Sequence, residues 1–279
     1  MISLTILVEN TARGAGVLGE HGLSYWLDTG SHRVLFDTGQ GTALFHNARR
    51  LGYDLSIADA VVLSHGHYDH SGGLEKALLQ ASRATLYVHP EAFCSKFTGL
   101  NPTHGVSRRI STPFMESEGF RTEGRKVVTF RKPREVVRGV WATGEIPRST
   151  SFEDTGGPFF RDKKLQTPDL LLDDQSLFFK TRKGVVVILG CAHSGVVNTL
   201  NHIRKLTGEM HLHALIGGLH LETASEERID KTVAAIKEFS PDLLGFCHCT
   251  GVEAMLRFWS EFPGKCFQAH AGLYREFED

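Results

Sequence analysis

Short apolar runs broken by glycine-bearing turns dominate the first third of the chain. Leu4–Val8, Ser24–Asp28 and Val34–Asp37 read as strands, the pattern of an antiparallel start to a sheet. Thr42–Leu51 sets Leu44, Phe45, Ala48 and Leu51 on one face at helical spacing. Ala60–Leu63 is continuously apolar, as a strand covered on both faces should be. A helix over Leu74–Ala81 and a strand over Ala84–Val88 follow. Beyond Phe93 the pattern loosens. Val127–Phe130 and Val136–Trp141 are short β-like pieces, and the polar, glycine-bearing stretch Ser149–Thr167 predicts a loop or lid. Leu170–Leu172 and Ser176–Lys180 predict a hairpin with Asp173 and Asp174 at its tip. Three further strands, Val185–Leu189, Leu212–Ile216 and Leu243–Phe246, alternate with helices over Val196–Leu206 and Glu226–Phe239. Each of these strands runs into a histidine: His193, His220 and His248.

Composition narrows the class. A chain of 279 residues suits one large layered domain, with an insertion or lid expected at about residues 94–167. Hydrophobic residues at 41% and charged residues at 23% exclude a disordered or coiled-coil chain. The net charge of −1 gives no argument for a nucleic-acid or membrane-surface protein. The longest apolar run, Val185–Leu189, falls far short of the ~18 residues that cross a bilayer. Met1–Thr5 has no basic region or small-residue cleavage site, so no secretory leader is expected. The five cysteines, two of them in Cys247-His248-Cys249, do not form an even disulfide framework; a reducing cytoplasm is the simpler expectation. Histidine, at 15, is the unusual count.

His65-Gly66-His67-Tyr68-Asp69-His70 is the strongest chemical signal. Residues two apart on an extended segment point the same way, so His65 and His67 can converge on one ion. Asp69 and His70 fall where the strand gives way to a helix and can turn to a second position. Imidazole with carboxylate suits Zn²⁺, with Mn²⁺ or Fe²⁺ also compatible, rather than Ca²⁺.

This segment resembles the signature of the metallo-β-lactamase superfamily, which also carries an aspartate at the end of an earlier strand, as in Leu35-Phe36-Asp37. The resemblance implies an α/β fold, an αββα sandwich with one or two divalent metals at one edge, and for Asp37 a role in orienting the metal loop. Glu20–Ser24, Ser64–Leu74, Gly190–Gly195, Gly217–His220 and Cys247–Gly251 are similar to the branch named for dihydropterin–ribofuranosylaminobenzene 5′-phosphate synthase. That branch name implies transfer of a dihydropterin-methyl group with loss of pyrophosphate. In the superfamily a His, a bridging Asp and a His follow the first motif, whereas here the strand ends offer three histidines and no evident Asp. His193 and His248 are the expected remaining ligands. His220 is open between ligand, substrate contact and proton shuttle, and Cys191 between the bridging position and a small packed residue. Cys247 and Cys249, which alternate about His248, are expected on the opposite face from it.

The functional expectation is a metal-dependent enzyme, hydrolase or pterin-type transferase, acting on a phosphate- or pyrophosphate-bearing small molecule. Asp69 would serve as base or second-site ligand and His220 as acid. Arg108–Arg138 holds nine Lys/Arg against four Asp/Glu, so Arg108, Arg109, Arg131, Lys132 and Arg134 are either phosphate contacts or solvated charge. His21 is open between the site mouth and a surface turn, Glu145 between supporting the site and a solvated turn. A nuclease or lactonase of the same superfamily, and a non-catalytic metal-containing effector, are the alternatives.

Overall fold

The computed structural model describes residues 1–99, 107–113 and 124–278. In chain order the elements are β1 (Ile2–Val8), β2 (Ser24–Asp28), β3 (Arg33–Phe36), α1 (Ala43–Leu51), β4 (Ala60–Val62), α2 (Tyr68–Ser71), α3 (Leu74–Gln80) and β5 (Thr85–Val88). Then come β6 (Phe97–Gly99), β7 (Ser107–Arg109), β8 (Val127–Thr129), β9 (Arg134–Val137), β10 (Val140–Ala142), β11 (Phe159–Phe160), β12 (Leu177–Thr181) and β13 (Gly184–Ile188). The chain closes with α4 (Val196–Thr207), β14 (Leu212–Gly217), α5 (Glu226–Lys237), β15 (Leu243–Phe246), α6 (Val252–Glu261), β16 (Cys266–Gln268) and β17 (Tyr274–Phe277).

Two seven-stranded sheets, ordered β17-β1-β2-β3-β4-β5-β8 and β16-β15-β14-β13-β12-β10-β9, pack face to face. Period-two alternation builds this sandwich. Tyr25, Leu27, Val34, Phe36, Ala60 and Val62 of the first sheet meet Leu177, Phe179, Val186, Ile188, Ala214 and Ile216 of the second in one buried core. The intervening residues point outward under helices: Trp26, Leu35 and Val61 beneath α1 and α3, and Phe178, Val187 and Leu215 beneath α4, α5 and α6. The layers are αββα, as the resemblance implied. Among the described residues no helix is long and apolar enough to cross a membrane.

Two expectations need correction. Val136–Trp141 is not one strand but the tight antiparallel turn from β9 into β10, made possible by Gly139 at φ 84°. Asp173 and Asp174 are not a hairpin tip: both carboxylates are buried, and the hairpin lies one step later, between β12 and β13. Leu171 sits in the left-handed region while Leu170 and Leu172 face solvent, so that apolar triplet never extends as a strand. Within the expected 94–167 region, β8 joins the first sheet, β9 and β10 join the second, and β6, β7 and β11 form a separate three-stranded sheet. Residues 114–123, which hold Arg121 and three of the four acidic residues counted in Arg108–Arg138, lie outside the described residues.

Parallel pairing positions the site. β3, β4 and β5 run parallel, as do β13, β14, β15 and β16, so their C-terminal ends share one edge of the sandwich.

Candidate metal centre

Five strand exits on that edge deliver side chains to the site: Asp37 after β3, His65 to His70 after β4, Cys191 and His193 after β13, His220 after β14 and His248 after β15. Asp37, Ala192, His220 and His248 lie at φ between 48° and 60°. L-residues reach this left-handed region at a cost, and such strain gathers where surrounding structure enforces a side-chain position.

Two triads of donors form side by side. His65, His67 and His193 each present a ligand atom within 4.8 Å of the other two, and so do Asp69, His70 and His248. The six residues expected as ligands from the sequence are thus brought together on this edge. Tight backbone approach makes room for them. A Cβ on Gly66 would meet the Ala92 carbonyl at 1.8 Å, and one on Gly190 would meet Ser64 Oγ at 2.3 Å.

The outer ring nitrogens are anchored on protein oxygens. His70 Nδ1 bonds Asp37 Oδ2 at 2.7 Å, and His193 Nδ1 bonds the Thr155 carbonyl at 2.8 Å. His248 Nδ1 bonds Asn10 Oδ1 at 2.9 Å, while Glu9 accepts the His248 backbone N–H. Ser64 Oγ donates to Asp37 and so accepts from His65 Nδ1, at 2.9 Å. Each of these four bonds assigns the tautomer that leaves an Nε2 lone pair facing the centre. His67 completes the first triad, with Nδ1 3.0 Å from His65 Nε2. Nε2 of both His67 and His193 is buried without a hydrogen-bond partner. Buried polar atoms are rarely left this way, and a cation between them would satisfy both. The residues fit a divalent metal.

Electrostatics agree. Burial holds the pKa of His65, His67 and His193 well below the usual histidine value, with neighbouring imidazoles adding to the effect, so these rings are neutral ligands at pH 7. Burial alone would raise Asp69, but hydrogen bonds from His21 and His248 outweigh it and hold the carboxyl well below its ordinary range. For His248 burial is likewise outweighed, by Asp69 first, and its pKa stands at about 9, so without a metal this ring is an imidazolium and a cation at the second position would have to displace its Nε2 proton.

Asp37 is buried and makes no approach to the donors as a ligand. Its oxygens accept from Ser64 N at 2.7 Å, Ser64 Oγ at 2.6 Å and His70 Nδ1 at 2.7 Å. Asp37→Ala should therefore weaken metal binding roughly 10–100-fold, the usual effect of removing a residue that orients ligands. Competition with a chelator measures it, and an unchanged affinity would show that Asp37 orients nothing.

The remaining candidates divide. His220 joins the cluster, its ring centroid 4.2 Å from that of His193, with Nδ1 buried and unpartnered. His21 lies at the mouth, half exposed, 3.3 Å from Asp69 Oδ2. Arg108 on β7 donates to Tyr68 Oη at 2.6 Å and lies over the Tyr68 ring, so it too borders the site. Arg109 turns to Ser111 Oγ. Arg131 pairs with Glu91 and Glu145, and Glu145 also accepts from His89; neither residue reaches the donors. Cys247 packs into the inter-sheet core beside Tyr25, whereas Cys249 turns towards Cys191. The polar stretch expected as a loop or lid covers the centre: Phe159 packs on His67 and His193 with centroids 5.1 Å away, and Gly156 lies against His220.

Sequence reasoning missed the supports. Glu9 and Asn10 follow the apolar strand β1, a strand-end position like that of Asp37 and the one local clue to them. Arg148 holds the His193 carbonyl at 3.1 Å, and no local pattern marks it.

The chain belongs to the metallo-beta-lactamase superfamily, whose family model matches residues 18–201. Members of this superfamily are mostly metal-dependent hydrolases and typically bind divalent metals. The chain is 29% identical to the 7,8-dihydropterin-6-methyl-4-(beta-D-ribofuranosyl)-aminobenzene-5′-phosphate synthase of Methanocaldococcus jannaschii over 92% of its length and 90% of the relative's. The structure of Tm1679, a metal-dependent hydrolase of the beta-lactamase superfamily, superposes at TM-score 0.85 with 31% identity over the whole of both chains. The metallo-beta-lactamase fold protein YhfI from Bacillus subtilis shares the fold at TM-score 0.57 and 14% identity, over 99% of this chain and all of YhfI.

Proposed function

We propose that the chain is a metal-dependent enzyme that transfers or hydrolyses a group on a phosphate- or pyrophosphate-bearing small molecule. The observation that carries the reading is the set of four imidazoles tied down by their outer nitrogens, with buried, unpartnered Nε2 atoms among the inner ones. Zn²⁺ suits the donors best, one ion in each triad, and would supply Lewis acidity to the oxygens of a leaving phosphate or pyrophosphate. The phosphate class is supported by the printed name of the Methanocaldococcus jannaschii relative and by cationic residues at the mouth.

The chain's own residues then have distinct tasks. Arg108, stacked on Tyr68, and half-exposed His21 hold the anion at the open side. Asp69, ionised between His21, His70 and His248, serves the second metal position or accepts a proton. His220 donates a proton to the leaving group from beneath Gly156. Phe159 and the Thr155 backbone keep bulk water from His67 and His193. Five unpaired cysteines are in keeping with a reducing, cytoplasmic location.

A panel of phosphomonoesters, nucleotides, pterin pyrophosphates and neutral lactones, assayed with metal-loaded enzyme, tests the substrate class. Phosphate-bearing compounds should be turned over. Arg108→Ala should weaken their binding roughly 10-fold or more, since a charge-assisted hydrogen bond to phosphate is worth about 1.5–3 kcal/mol. Turnover of neutral lactones alone, unaffected by Arg108→Ala, would replace this reading with a lactonase.

A further inference from the structure

Among the described residues five groups of convergent metal-binding atoms lie on this edge, and Cys191 belongs to three of them: with His65 and His70, with His193 and His220, and with His248 and Cys249. No histidine among these groups occurs in more than two. The cysteine is buried, and its Sγ lies 3.0 Å from His70 Nε2, the same nitrogen that faces His248 Nε2 at 3.2 Å. Three backbone features bring the sulfur there. Gly190 lets the β13 exit close on Ser64, Gly218 admits Cys249 Sγ where a Cβ would stand 2.6 Å from it, and Ala192 turns left-handed between Cys191 and His193.

A packed, apolar role explains little of this. A thiol hydrogen-bonded to His70 would leave His193 Nε2, in the same donor group, buried and unpartnered. Among the six donors of the two triads only Asp69 is anionic, so a thiolate at Cys191 would add a second negative charge to offset the cations. We propose that Cys191 is a metal ligand whose thiolate sulfur is shared between the His65, His67, His193 position and the Asp69, His70, His248 position. The proposal rests on the metal-centre reading above. Coordination breaks the S–H bond, forms sulfur–metal bonds and releases the proton to solvent, with no change of oxidation state. A thiolate ligand biases the site to Zn²⁺ over the harder Mn²⁺ and Mg²⁺.

Cobalt(II) reports on both levels separately. Protein stripped of metal under reducing conditions and reloaded with Co²⁺ should show visible d–d bands together with a near-ultraviolet sulfur-to-cobalt charge-transfer band. Cys191→Ser should lose the charge-transfer band, keep d–d absorption from the histidines, and release one proton fewer per site on loading. Cys249→Ser should keep the band, which assigns the sulfur even if the Cys191 variant does not fold. Co²⁺ binding without a charge-transfer band overturns the proposal and leaves the metal centre standing. A band that survives Cys191→Ser, or disappears in Cys249→Ser, overturns it in favour of Cys249. Failure of the folded wild-type protein to take up Co²⁺ at all overturns the metal-centre reading with it.

Discussion

His67→Ala should lose bound metal and activity together. The His67 ring is buried beside His65 and His193, and its Nε2 has no protein partner, so that nitrogen is the one a bound cation would satisfy. Elemental analysis of the purified variant should find the His65, His67, His193 position depleted, and no member of the substrate panel should be turned over. Thermal unfolding adds a second readout. A metal present at about 1,000 times its dissociation constant stabilises the native state by about 4.1 kcal/mol, so metal should raise the wild-type Tm sharply. The variant should respond far less, while in chelator the two proteins should unfold at closer temperatures. A His67→Ala protein that keeps its full metal complement would refute the ligand assignment.

What could be read from the chain follows from how local each signal is. β2, β3, β13 and β14 are legible as short, largely apolar runs between turns, because strands covered on both faces declare themselves within a few consecutive residues. The six donors declare themselves by spacing within residues 65–70 and by standing directly after apolar strands at 193 and 248. The C-terminal elements are silent for the opposite reason. α6 carries a polar stripe of Glu253, Arg257 and Ser260 opposite buried Ala254 and Phe258, but exposed Val252, Leu256 and Trp259 spread its apolar residues well beyond the buried face, and β16 is three half-buried residues long. Glu9 meets His248 from the far end of the chain, and Asp173 meets Gly66 across a hundred residues; such contacts leave no periodic trace. Asp173-Asp174 resembles a turn because adjacent carboxylates are usually solvated. Here Asp174 accepts the Ser194 N–H, and burial raises its pKa to about 6 despite that bond. Asp173 meanwhile takes part in a buried ion network, and it is that network which converts a surface-looking sequence into support for the site.

Removing the cation of that network should cost more stability than any other single change to the site's supports. Lys96 is fully buried, its Nζ 2.7 Å from Asp173 Oδ1 and 3.1 Å from Asp169 Oδ2. Asp173 Oδ2 accepts the Gly66 N–H at 2.8 Å, in the middle of the His-x-His turn, so one carboxylate joins the buried ammonium to the metal loop. Asp169 is shared with Arg161, which itself pairs with Glu91, so Asp169 keeps a cation when Lys96 is lost and Asp173 does not. Breaking a buried pair from one side leaves an uncompensated charge and costs about 3–5 kcal/mol. Lys96→Met should therefore lower Tm by on the order of 10 °C for a chain of this size. It should also weaken metal binding, because Asp173 is then freer to move and carries Gly66 with it. Asp173→Asn in the Lys96→Met background separates the two effects. The amide removes the stranded charge yet still offers an oxygen to Gly66 N–H, so Tm and metal affinity should both recover in part. If Lys96→Met unfolds at the wild-type temperature, the buried charges are not what secures this loop. If adding Asp173→Asn lowers Tm further, the penalty comes from lost packing of the lysine stem and not from an unpaired carboxylate.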